Sequence, residues 1–141
     1  MIRRPWLQDQ RGAVAVEFAL TFGLVVTLLL VTLDLGRWLN AELVLTMAAR
    51  EGARRAAVMG GDYPEVRDRI AELAAAARLA DERLEVRIEP MRARYGTTIT
   101  VELEFPFRPL SPMLLALVGP EVTLRAAAIT RSERLAPGDE G

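Results

Sequence analysis

From Ala13 to Leu33 the chain runs through 21 residues whose only charged side chain is Glu17. At 1.5 Å per residue such a helix is roughly 32 Å long, enough to cross the hydrocarbon core of a bilayer. A chain of 141 residues lacks the bulk to bury so apolar a helix on all sides, so the run predicts one transmembrane helix. Beyond it the pattern changes without a break. Leu35, Leu39, Leu43 and Met47 recur every four residues, with Trp38 and Ala49 close to the same stripe. Arg37, Asn40, Glu42, Arg50 and Arg54 take other faces. This spacing predicts that the helix continues in amphipathic form until Gly60-Gly61 ends it. Glu51 and Arg55 form a favourably ordered i,i+4 pair, and Trp38 is placed where an indole suits the lipid–water interface. The small residues Ala48, Ala49, Ala53, Ala56 and Ala57 suit close approach of a sheet or of a neighbouring helix.

A second helix is signalled by Asp62 as cap, Glu65 three residues on as in a capping box, and Pro64 in the first turn. Val66, Ile70, Leu73 and Ala77 form its apolar face, up to about Ala80. Leu84 to Glu89 then alternates apolar and charged residues, the pattern of a half-buried strand. After turn material from Pro90 to Gly96, Thr98 to Phe107 alternates again. Ile99, Val101, Leu103, Phe105 and Phe107 are predicted inward; Thr100, Glu102 and Glu104 outward. Pro106 predicts an edge strand or a fraying strand end. Ser111-Pro112 resembles a cap and a first-turn proline, so Met113 to Val118 reads as a short helix stopped by Gly119-Pro120. Its apolar side chains suit either the core or a patch for a partner or the lipid surface. Glu121 to Thr130 reads as a third strand whose phase slips within Ala126-Ala127-Ala128, which predicts a bulge. The expected architecture is membrane-anchored α+β: a long N-terminal transmembrane and amphipathic helix, a second helix, and a small antiparallel three-stranded sheet. The expected divisions are a leader at 1–12, the long helix at 13–59 with 13–33 in the membrane, an outer domain at 60–132 and a flexible tail at 133–141.

Composition narrows the chemistry. The chain has no His and no Cys, so the commonest general base, the commonest metal ligands and any disulfide are missing. Ser111 and Ser132 have no base near them in sequence, and Glu102 and Glu104 read as a solvated sheet face, not a catalytic pair. Gly60-Gly61 lacks the residues of a phosphate loop, and Arg92, Arg94 and Tyr95 are too few to mark an anion site. No enzyme, no cofactor and no metal is expected. A formal net charge of −1 gives no general attraction to nucleic acid. The first twelve residues hold Arg3, Arg4 and Arg11 against Asp9, which predicts a cytoplasmic start and an outer domain beyond the membrane. A secretory signal also has a basic start, but its apolar core is shorter, and Ala48-Ala49 lies too far on for its cleavage site.

The head of the helix carries a more specific signal. A basic leader ends at Gly12, the apolar run starts at Ala13, and Glu17 and Phe18 follow. Glycine, four residues, glutamate and an aromatic resemble the processing site of type IV pilin-like proteins. The wider phrase Arg11-Gly12-Ala13-Val14-Ala15-Val16-Glu17-Phe18, with Asp34-Leu35-Gly36-Arg37 and Ala48-Ala49-Arg50-Glu51-Gly52-Ala53-Arg54, resembles the TadE-like minor pilins of tight-adherence (Flp) pilus systems. These motifs cover about residues 11 to 58. Gly23 departs from the pattern, since many relatives have proline in the membrane helix. The resemblance implies cleavage between Gly12 and Ala13 by a prepilin peptidase, with Glu17 and Phe18 serving processing and assembly. It implies as partners other pilin-like subunits, the pilus assembly machinery, the peptidase and membrane lipid, and as location the bacterial cytoplasmic (inner) membrane. A different class also suits the pattern: an unprocessed single-pass anchor presenting a binding domain to another envelope complex.

Overall fold

The computed structural model describes residues 10–79 and 83–135. Helix α1 (Gln10–Met59) is unbroken through 50 residues, roughly 75 Å. It starts three residues before Ala13, so the Gly12–Ala13 peptide bond lies inside its first turns. After it come α2 (Pro64–Ala76), β1 (Glu85–Glu89), β2 (Thr98–Phe107), α3 (Pro112–Val118) and β3 (Val122–Arg131). The sheet order is β1-β2-β3, antiparallel throughout. The second half of α1 packs on the inner faces of β2 and β3, with α2 alongside it. Arg67 of α2 reaches across to the Val86 carbonyl of β1 at 3.2 Å.

Strand β2 forms the centre of the core. Ile99, Val101, Leu103, Phe105 and Phe107 are all buried, as the period of two requires. The face of α1 that meets them differs from the expected stripe. Ala41, Leu45, Ala48, Ala49, Ala53 and Ala56 are buried, whereas Leu35, Leu39, Leu43 and Met47 stay more than half exposed. Both sets recur at helical spacing. Alanines let the sheet approach the helix backbone closely, while a row of leucines would hold it off, so the small face wins. Trp38 is half-buried against this core, tilted against Phe107 at 5.4 Å between ring centroids.

Gly52 shows how close the helices come. A Cβ there would sit 2.6 Å from Ile70 Cδ1 of α2. Overpacking at such a contact costs about 1–3 kcal/mol. Gly52→Val is therefore expected to lower the urea midpoint of the detergent-solubilised protein, followed by Trp38 fluorescence. Gly36→Val, with nothing within 4 Å of its Cβ position, should leave the midpoint nearly unchanged.

Several local expectations are corrected. The cap of α2 is Tyr63, in extended conformation and without a side-chain bond; Asp62 instead holds Arg67 at 2.6 and 2.8 Å. Pro64 does occupy the first turn, but the helix closes at Ala76, short of the expected Ala80. β3 pairs with β2 in one continuous register from Thr98↔Arg131 to Phe107↔Val122, so no bulge forms at Ala126–Ala128. The apparent slip arises because Ile129 is apolar yet points outward, 72% exposed. β2 is the central strand, but β1 ends opposite Glu104, so Pro106 pairs with Thr123 of β3 alone. Its missing N–H is tolerated in a stretch with one neighbour. Glu133 and Arg134, expected in the tail, are tied to α1: the Glu133 N–H donates to the Ala57 carbonyl at 2.8 Å, and Arg134 to that of Met59 at 2.8 Å. Arg134 also donates to the Tyr63 hydroxyl.

Gly60-Gly61 ends α1 as expected. Gly61 has φ +130°, and a Cβ on it would come 2.3 Å from the Met91 carbonyl oxygen. That close approach joins the end of α1 to the β1–β2 turn, where the Asp62 N–H donates to Met91 and that of Ala93 to Gly60.

Candidate functional site

Two regions of α1 carry the residues of interest. The first is its head. Gly12, Ala13, Glu17 and Phe18 all lie within the first three turns and are exposed. Glu17 and Phe18 sit on different faces, one residue apart, and Phe18 stacks on Phe22 with centroids 5.9 Å apart. Among the described residues no ion pair reaches Glu17. A carboxylate entering lipid costs on the order of 2.5–3.5 kcal/mol near the bilayer centre and less near its edge. Counting 100° per residue places Glu17 on the same side as Leu28, Leu35 and Leu39. Asp34, at the start of the face that carries the outer domain, falls about 100° away from it. Arg3, Arg4 and Asp9 of the expected leader lie outside the described residues.

The second region is centred on Asp34, immediately after the apolar run. Its side chain is completely buried. One oxygen, Oδ2, accepts the Leu110 N–H at 2.8 Å and the Ser111 N–H at 2.6 Å. The other, Oδ1, pairs with Arg37 Nη1 at 2.8 Å. Arg37 also donates to the Arg108 carbonyl at 3.4 Å and lies over the Phe107 ring at 5.1 Å. Burial pushes the Asp34 carboxyl up, but the Ser111 and Leu110 donors and Arg37 outweigh it and hold the pKa below the usual aspartate range. Asp34 therefore remains ionised and joins the end of the span to the chain 76 residues later. Ser111 completes the joint: it is buried, and its hydroxyl accepts the Leu114 N–H at 3.3 Å to cap α3.

Sequence reasoning had Asp34 only as part of a motif and missed this role. A signal was available, since Asp34 falls on the same helical face as Ala41, Leu45 and Ala48. Farther along, Glu51 accepts two bonds from Arg54 at 2.9 Å and one from Arg55 at 3.4 Å. Arg54 is the main reason that its pKa falls below the usual range. Glu104 pairs with Arg125 across the sheet at 3.1 Å, so the two strand glutamates form part of a charged outer face. Among the described residues no group of three or more acidic side chains is placed to hold a metal ion.

The comparisons agree with the sequence resemblance. The TadE-like protein family matches residues 12–54, a segment that begins at the Gly12 of the expected cleavage site and includes Glu17, Asp34 and Gly52. The chain thus carries a segment similar to TadE-like proteins. The same helix is long and apolar enough to cross a membrane, as a membrane anchor would be. No curated protein and no solved structure gives a significant match.

Proposed function

We propose that this protein is a pilin-like subunit of a tight-adherence pilus, cut after Gly12 by a prepilin peptidase and held in the bacterial cytoplasmic membrane with its α+β domain outside. The observation that carries the reading is the TadE-like match starting at Gly12, on a helix whose Glu17 side has no cover. Gly12 lies in the first turn of the helix, where a peptidase needs extended backbone, and glycine in a helix costs about 1 kcal/mol relative to alanine. Opening the first turns at this point is correspondingly easier. Cleavage creates an α-amine at Ala13, with a pKa near 7.7–8.0 and mostly protonated at neutral pH. Glu17 is then one turn away within the helix. It is also in reach of the amine of a second helix displaced by about 6 Å along the axis.

The uncovered Leu35 and Leu39 continue the Glu17 side of α1 beyond the membrane, where partner helices would pack. The protein is read as a structural and assembly component, not as an enzyme. Mass spectrometry of the native membrane-bound protein tests the reading directly. The mature chain is expected to begin at Ala13, and Gly12→Phe should accumulate the uncut form. Recovery of Met1 from cells that contain the peptidase would make the protein an unprocessed anchor instead.

A further inference from the structure

Helix α3 has no place in the assembly reading. The segment 109–120 holds no charged residue, and no residue of α3 is buried. Leu110, Met113 and Leu117 are 64%, 57% and 77% exposed. Of the two environments its sequence allowed, the protein core is therefore excluded, and a patch of bare apolar side chains remains.

The position of α3 identifies what covers it. Asp34 binds the N–H groups of Leu110 and Ser111, so the start of α3 is held one residue beyond the apolar run of α1. α3 touches α1. Exposure along α1 is reduced at Val26, Thr27, Leu30 and Val31, a single helical face that Asp34 continues. α3 thus lies beside the last turns of the membrane span and not above them. Charges resume at its two ends, where Arg108 and Glu121 pair at 2.8 Å. Nearby, Arg37, Arg78, Arg83 and Arg108 line a cleft of about 480 Å³. Arg37 is one helical turn beyond Asp34, a height suited to lipid phosphates.

We propose that α3, with Leu110, inserts into the outer leaflet as a second and shallow membrane contact, with the arginine-lined cleft at the headgroups. The occupant is lipid because the patch is continuous with the span and lies at its depth. Two contacts, joined by Asp34, fix the tilt and rotation of the outer domain over the membrane, which a single helix leaves free.

The inference rests on the membrane-anchored reading, and the test separates the two. The chain has no Cys, so single-cysteine variants are straightforward. Leu24→Cys, Leu117→Cys and Ile129→Cys would each carry an NBD fluorophore on the full chain in phosphatidylethanolamine–phosphatidylglycerol vesicles. Ile129 is the apolar control on the outer sheet face. The label at Leu117 should be blue-shifted, several-fold less quenched by aqueous iodide than the one at Ile129, and quenched by lipids with a nitroxide high on the acyl chain. Iodide quenching equal to that at Ile129 would overturn the proposal. Protection from both iodide and lipid nitroxides would overturn it too, because a protein would then cover α3. If lipid nitroxides reach Leu24 but not Leu117, this inference alone falls. If they do not reach Leu24, the membrane anchor falls with it.

Discussion

Replacing Asp34 by alanine is expected to lower the unfolding free energy of the outer domain by about 2–4 kcal/mol. Hydrogen bonds to a charged group contribute about 1.5–3 kcal/mol each, and buried donors left without a partner lose their solvation as well. Alanine here would strand the Leu110 and Ser111 N–H groups beneath the joint and leave Arg37 without its carboxylate. Such a loss is a large share of the roughly 5–15 kcal/mol that holds a domain together. Trp38, packed on Phe107 one turn away, reports it: urea unfolding followed by its fluorescence, in a Trp6→Phe background, should shift to lower midpoint. Asp34→Asn keeps the shape but not the charge and should be intermediate.

The depressed pKa of Asp34 gives the sign of the pH effect. Its contribution is complete above the unfolded value near pH 3.9 and is lost as pH falls through the lower folded value. Asp34→Asn should therefore remove part of the acid sensitivity of the parent. Midpoints unchanged in both variants would show that the core holds the domain without this joint.

Glu17→Val should leave the protein cleaved and inserted, yet reduce its co-purification with pilin-like partners at least about tenfold, equivalent to about 1.4 kcal/mol per contact. Valine makes the span uniformly apolar, so insertion is favoured; what disappears is the one anion able to meet a neighbouring α-amine. Lipid supplies no alternative partner, so even a pair of small net stability selects one axial register over others. Glu17→Asp, shorter by one methylene, should fall between the two. Co-purification and piliation equal to the parent would leave Glu17 a tolerated charge at the membrane edge. The outcome is independent of the Asp34 result, because the two carboxylates lie roughly 25 Å apart along α1.

The contrast between these two acids separates what was legible from what was not. Glu17 stands out in the sequence because everything around it is apolar, and that contrast is local. The same holds for the span itself, for the alternation that places Ile99, Val101, Leu103, Phe105 and Phe107 inward, and for the Ser111-Pro112 start of α3. Each depends on neighbours a few residues away, where helical and strand periodicity act directly. Asp34 is different. Its partners are 76 and 77 residues farther along, and the face it shares with Ala41, Leu45 and Ala48 does not say which groups will meet it.

The choice between the two faces of α1 was likewise not local. Leu35, Leu39, Leu43 and Met47 are the more apolar stripe, and transfer from water alone would bury them. Alanines face the sheet because packing density depends on how closely two surfaces meet, which only the partner surface defines. The absent bulge in β3 follows the same logic: Ile129 looks misplaced until β2 sets the register and turns it outward. Apolar runs and periodicities therefore determined the elements and a helix long and apolar enough to span a membrane. The tertiary structure decided which face of α1 is covered, that Asp34 joins the span to α3, and that α3 stays bare, because each depends on surfaces brought together from distant parts of the chain.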